Sequence, residues 1–256
     1  FIAVFRRERP ALNLDSFELA YVMCVAFVTA AINSFIGVGG GFLPAVFLAP
    51  VIGMKSLLPM LSVMLLISNF SRSWINRADF HKRAFLHIAI PATPMVFLGS
   101  YFYSVLEPRM ISLFLGVVIL SSIPIRRWAK SREIKTSPLV LSSVGGLFGF
   151  LCGSAVGPGM LLIPFMLGFG LTPVNFVATL AVIASFTNVA RVASFSSLGL
   201  IDMDLLMIGL LGGLATIPGN ILGRKILKKL KVNAHTLLVD IVTLGGGLNF
   251  IWIALK

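Results

Sequence analysis

Apolar residues run almost without interruption over 17–36, 57–75, 85–106, 110–125, 139–155, 174–198, 205–227 and 237–255, and polar residues collect in the short stretches between. Runs of this length read as membrane helices, because about 20 residues rising 1.5 Å each cross a hydrocarbon core of roughly 30 Å. Strands of a membrane barrel would instead alternate in polarity over about ten residues. The pattern therefore predicts an all-α integral membrane protein with about eight membrane helices. Two further pieces, 42–52 and 160–169, are apolar but too short to cross unaided, and read as glycine-broken half-helices or re-entrant segments. Pro91 and Pro94 predict a kink in 85–106.

Each short piece follows a glycine-rich break. The first reads Gly37-Val38-Gly39-Gly40-Gly41-Phe42-Leu43-Pro44, and the second Gly157-Pro158-Gly159-Met160-Leu161-Leu162-Ile163-Pro164. A polar cluster with an arginine comes next in both halves: Ser68-Asn69 with Arg72, and Thr187-Asn188 with Arg191. Gly37, Gly39 and Pro44 fall on Gly157, Gly159 and Pro164 at one constant spacing. Asn69 and Arg72 fall on Asn188 and Arg191 at nearly the same spacing. Pro94, Leu98 and Gly99 fall on Pro218, Leu222 and Gly223 at a slightly wider one. Matches in the same order predict two internal repeats, 1–125 and 139–256, joined by a basic linker over 126–138 that reads as cytoplasmic.

Loop charge bears on how the repeats are oriented, since cytoplasmic loops are enriched in Lys and Arg. In the first half the loop with Arg77, Lys82 and Arg83 is basic and the turn at 107–109 is nearly neutral. In the second half the loop with Asp202 and Asp204 carries no Lys or Arg, and the turn at 224–231 is basic. That swap predicts repeats in inverted topology. Inversion needs an odd number of crossings per half, which follows if each short piece folds back along its neighbour.

Composition agrees with the class. The chain of 256 residues is 57% hydrophobic and 12% charged, with mean hydropathy +0.99, whereas soluble domains are about 25% charged. The net charge of +12 sits between the apolar runs, which is the distribution of cytoplasmic loops rather than a nucleic-acid footprint. Cys24 and Cys152 lie in apolar runs and read as buried small hydrophobes, with neither a disulfide nor a metal site indicated. Residues 1–5 are too short for a cleavable signal and read as the tail of an upstream segment.

A helix broken at membrane depth survives where protein or a water-filled cavity covers its unpaired backbone. Glycine permits the tight path, and a half-helix starting there aims free N–H groups and a positive dipole end into the cavity. Gly37, Gly39, Gly40, Gly41, Gly157 and Gly159 are thus candidates to meet an anion, with close helix packing through small residues as the competing reading. Asn69 with Arg72, and Asn188 with Arg191, share a helix face and offer amide donors and a guanidinium fork. The arginines read equally as snorkelling anchors near helix ends. Asp240 stands inside an apolar run and fits either a proton acceptor in coupled transport or a paired structural carboxylate. Asn33, Ser34 and Ser154 are weaker candidates for the same cavity. His81 and His235 read as loop or interfacial residues and His87 as a helix start. No nucleophile with a base, no paired carboxylates, no P-loop lysine and no metal-ligand spacing occur, so neither an enzyme nor a cofactor nor ATP coupling is expected.

The Gly-x-Gly-Gly-Gly start after an apolar helix, echoed by Gly-Pro-Gly-Met-Leu-Leu-Ile-Pro at mid-chain with a following Thr-Asn-x-x-Arg, resembles the sulfite exporter TauE/SafE family of bacterial membrane permeases over residues 31–223. The resemblance implies a multi-pass helical protein of the bacterial inner membrane with two repeats. It also implies secondary transport of small sulfur-containing anions such as sulfite, sulfoacetate or organosulfonates. Nothing in composition or spacing indicates sulfur. Joined to the residues above, it suggests alternating access about one midplane anion site, with a proton as candidate coupling ion. An anion channel using the same cavity, and a non-transporting membrane scaffold or assembly protein, remain the alternatives.

Overall fold

In lipid every backbone N–H and C=O must be paired within its own segment, so long apolar runs fold as helices. The computed structural model of the chain describes residues 14–36, 41–75, 77–130, 135–227 and 232–255. They form ten α-helices: α1 (Ser16–Ile36), α2 (Phe42–Ile52), α3 (Met54–Ile75), α4 (Lys82–Val105), α5 (Pro108–Lys130), α6 (Pro138–Ser154), α7 (Gly159–Gly168), α8 (Pro173–Ser197), α9 (Met203–Leu227) and α10 (Val232–Leu255). A 3-10 turn, Arg77–Asp79, precedes α4. No strand occurs among the described residues. Five of the helices (α1, α3, α4, α8 and α9) are long and apolar enough among the described residues to cross a membrane, and shorter apolar helices accompany them.

Local sequence accounts for the boundaries. Ser137 and Thr172 accept from the amides of Val140 and Asn175, each with proline at the first helical positions of α6 and α8. Gly41 and Pro158 precede α2 and α7 and give them no side-chain cap, in contrast to α6 and α8. α4 runs through Pro91 and Pro94 as a single helix, and α5 continues to Lys130.

Packing between the two halves is reciprocal. α1 packs on α9 as α6 packs on α4, α3 on α9 as α8 on α4, and α2 on α10 as α7 on α5, while α3 meets α8 and α5 meets α10. Glycines set these seams, because a backbone without Cβ can touch its neighbour. A Cβ on Gly145 would fall 2.8 Å from the Ile88 Cα, and one on Gly149 or Gly153 would strike the carbonyl of Ala92 or Val96.

The same contacts give helix directions. Gly145, Gly149 and Gly153 meet Ile88, Ala92 and Val96 in rising order, so α4 and α6 run parallel. Gly219 and Gly223 meet Phe27 and Ala31, and Gly209 and Gly213 meet Val63 and Ile67, so α1 and α3 both run parallel to α9. Along the α5–α10 seam the order reverses: Gly116 meets Ile251 and Gly247 meets Leu120. α7 returns toward the end of the molecule where α6 begins, for the Gly168 carbonyl accepts from the Thr136 amide at 3.1 Å. α2 likewise turns back along α1, its Phe47 carbonyl accepting from the Tyr21 hydroxyl at 3.1 Å.

The outer surface is apolar, as a lipid-facing surface must be: Phe17, Trp74, Ile90, Leu139 and Trp252 are all exposed. Cys24 belongs to this surface, contrary to the expectation of a buried residue, while Cys152 is buried. Lipid is as apolar as a protein core, so an apolar sequence context does not separate the two.

Candidate functional site

Gly41, at the start of α2, lies against the turn between α6 and α7. A Cβ on Gly41 would lie 3.4 Å from the Gly157 amide nitrogen and 3.7 Å from the Val156 Cβ. Gly157 takes φ +76°, a left-handed conformation open to glycine and strained for other residues. Around this meeting point lies a cavity of about 90 Å³. Gly41, Gly157 and Gly159 line it together with Asn69 and Arg72 of α3 and Asn188 and Arg191 of α8. Elements separated by more than a hundred positions in the chain thus face one small space. Gly37, Gly39 and Gly40 lie outside the described residues, as does the side chain of Asp240.

The polar groups here are held by the ends and walls of helices. Asn188 Nδ2 donates to the Ala184 carbonyl at 2.8 Å, and Thr187 Oγ1 donates to that of Ile183 at 2.9 Å. Arg191 is 4% exposed. Its Nη1 donates to the Cys152 carbonyl at 2.6 Å and to the Ala155 carbonyl at 3.5 Å, at the C-terminal end of α6. Its Nε and Nη2 are buried and find no hydrogen-bond partner. A buried guanidinium is costly unless paired, and two of its nitrogens stand ready for an acceptor. Arg72 is half-buried on the same cavity wall.

Asn220 of α9 is a member of the site that sequence reasoning passed over. It is buried, lines the cavity, and joins three helices. Its Nδ2 donates to the Ser68 carbonyl at 3.3 Å and to the Ser68 and Ser71 hydroxyls at 3.1 and 3.2 Å, while its Oδ1 accepts from Ser34 at 2.6 Å. Thr29, Asn33 and Thr216 add further polar lining. Of the weaker candidates, Asn33 faces the cavity, Ser34 reaches it through Asn220, and Ser154 donates to the Phe150 carbonyl within its own helix. No group of three or more His, Cys, Asp or Glu side chains that could hold a metal occurs among the described residues.

Phe148, Val156, Gly157 and Pro158 also line a second, mostly apolar cavity of about 290 Å³ between α5, α6 and α7. The second glycine break therefore forms a wall between a polar space and an apolar one.

The model of the sulfite exporter TauE/SafE family matches residues 22–250. No curated protein and no solved structure matches the chain.

Proposed function

The chain belongs to the sulfite exporter TauE/SafE family, and from that premise we propose that it is a secondary permease for small sulfur-containing anions, sulfite first and sulfoacetate or other organosulfonates as larger variants. The observation that carries this reading is the cavity between the start of α2 and the turn joining α6 to α7. Gly41, Gly157, Gly159 and both Asn–Arg clusters line it, and two buried Arg191 nitrogens there have no partner. Open helix N-termini attract anions, amides donate to oxyanion oxygens, and the guanidinium supplies charge and a planar pair of donors.

The arrangement of the halves supports alternating access as the mechanism. The antiparallel α5–α10 seam supports an inverted repeat, as does the direction of α4, which is joined to α3 by a short turn while α3 runs parallel to α9. Two halves of opposite orientation can rock about a site they share, exposing it to one side and then the other. The end carrying Arg77, Lys82, Arg83 and Lys135 is the basic one and is assigned to the cytoplasm of a bacterial inner membrane. A proton remains the proposed coupling ion.

The test is sulfite flux into proteoliposomes holding the purified protein. Saturable uptake that shows counterflow, and that falls at least tenfold on Arg191→Ala, is expected. Flux unchanged by both Arg72→Ala and Arg191→Ala would remove the arginines from the site, and flux that does not saturate would replace the permease by a channel.

A further inference from the structure

Phe169, at the C-terminal cap of α7, is enclosed by side chains from the start of α4. The His81 ring stands at 6.3 Å between centroids with the planes 89° apart, and the His87 ring at 6.0 Å and 65°. The Arg83 guanidinium carbon is 5.7 Å from the centroid of the Phe169 ring. Both imidazoles have second attachments. His81 Nδ1 accepts from the Ala84 amide at 3.1 Å and so caps α4, and its own amide donates to Thr179 Oγ1 of α8 at 3.0 Å. His87 Nδ1 lies 3.2 Å from Ser142 Oγ of α6. At its other end α7 begins at Gly159, on the wall of the central cavity. One helix of ten residues, about 15 Å long at 1.5 Å per residue, therefore connects the histidine cage to the glycine break.

The fold does not require ionisable groups here. The spacing that lays Pro94, Leu98 and Gly99 on Pro218, Leu222 and Gly223 lays His81, Arg83 and His87 on Leu205, Met207 and Leu211 of α9. The other half fills the equivalent positions with aliphatic side chains. The cage is thus a feature of one end of the molecule only.

We propose that His81 and His87 are proton-sensing residues that set the position of α7, so that the second glycine break of the cavity responds to pH at this end. To accept from Ala84, neutral His81 carries its proton on Nε2. Taking up a second proton puts an N–H on Nδ1, which removes the cap and sets a cation against the positive end of α4. Among the described side chains Arg83 lies on the Phe169 ring, Arg77, Asp79 and Lys82 are its charged neighbours in sequence, and Lys135 adjoins Thr136, whose amide donates to the Gly168 carbonyl. α6 and α7 carry no Asp, Glu, Lys, Arg or His, and α8 carries Arg191 alone, at the cavity. The Arg83 guanidinium already lies on the Phe169 ring, so a protonated imidazole beside the same ring is repelled from Arg83 and the packing around Phe169 changes. The consequence for transport rests on the reading of the cavity as an anion site; the clamp itself does not.

The experiment is fluorine NMR on the full chain in lipid nanodiscs, with 4-fluorophenylalanine placed at position 169 or, in a second sample, at position 165 one turn nearer the cavity. In the otherwise native protein both resonances are expected to move together as the pH is lowered. In His81→Asn/His87→Gln, where Asn keeps a cap and Gln keeps a polar contact without titrating, neither is expected to move. A stationary Phe169 resonance overturns the proposal, as does a shift that survives the double substitution, or a Phe165 resonance that stays still while Phe169 titrates. Should the pair fail to fold, the single variants serve: each is expected to remove part of the shift, and a full shift in both refutes the clamp. No flux enters the readout, so the result is separate from whether sulfite is carried.

Discussion

Arg191 Nη1 donates to the Cys152 carbonyl at 2.6 Å, and this bond ties α8 to the last turn of α6, immediately before the second glycine break. A cation at a helix C-terminus is favoured by the dipole, which leaves the rest of the guanidinium free to serve the cavity. Arg191→Lys keeps the charge but cannot hold the carbonyl and present two further planar donors at once. It is expected to fold and to lose most sulfite flux, a drop of tenfold or more corresponding to about 1.4 kcal/mol. Arg191→Ala is expected to lose flux and also to unfold earlier in detergent, since leaving a buried carbonyl without its donor costs about 1–3 kcal/mol. Equal thermal midpoints for the native and Ala proteins would show that the bond to Cys152 contributes nothing to α6.

Asn220 offers a sharper stability test. Its amide joins α9 to Ser34 of α1 and to Ser68 and Ser71 of α3. Asn220→Leu retains the volume and removes the bonds. Interhelical hydrogen bonds in membranes contribute about 0.6–1.7 kcal/mol, so the variant is expected to lower the unfolding midpoint while leaving helix content unchanged by circular dichroism. A midpoint equal to that of the native protein would mean the three serines find other partners of equal quality.

That Asn220 escaped a reading of the sequence has a physical reason. The repeat drew attention to Asn69, Arg72, Asn188 and Arg191 because each has a counterpart, whereas the position matching Asn220 is Val96. The signal present was its own polarity, with Thr216 one turn earlier in an apolar run. Helix extents were far more legible: α2 occupies 42–52 as expected, and α1, α6 and α8 begin and end within a residue or so of their apolar runs. Pairing through space was not legible, since the cross-packing of α1 on α9 and α6 on α4 depends on glycine seams that join distant parts of the chain. Cys24 shows the same limit from outside, because hydropathy alone does not say which face of a helix meets lipid.

The seams themselves are open to a paired test. A Cβ at Gly149 would lie 2.5 Å from the Ala92 Cα and strike its carbonyl, so Gly149→Ala must push α6 from α4. At Gly245, also within a helix, a Cβ meets nothing within 4 Å. Gly149→Ala is expected to cost about 1–3 kcal/mol through overpacking and to reduce the yield of folded protein. Gly245→Ala is expected to be neutral or to gain up to about 1 kcal/mol from helix propensity. Thermal unfolding of the two purified variants decides the matter, and equal midpoints would mean that the α4–α6 seam yields without cost.

The directions of the helices lead to a test of inversion that needs no substrate. α3 runs toward the end where α4 begins, and α4 runs parallel to α6, so residues 77–79 and 135–137 share one end. α4 runs on to the opposite end, where α5 begins. α9 is parallel to α3 and therefore starts at that same opposite end, which places Glu107 with Ile201. In a protein whose Cys24 and Cys152 are replaced by alanine, single cysteines at Ala78 and Lys135 should react with a membrane-impermeant maleimide from one side only. Cysteines at Glu107 and Ile201 should react from the other side only. The first pair lies at the basic end, so in intact cells it should be the protected one. Ala78 and Ile201 follow α3 and α8, the counterpart helices that carry the two Asn–Arg clusters. Labelling of both from the same side would mean parallel repeats, and the rocking of two opposed halves about the cavity would have to be abandoned. Labelling from opposite sides leaves the Asn–Arg clusters approaching one site from opposite faces, as alternating access requires.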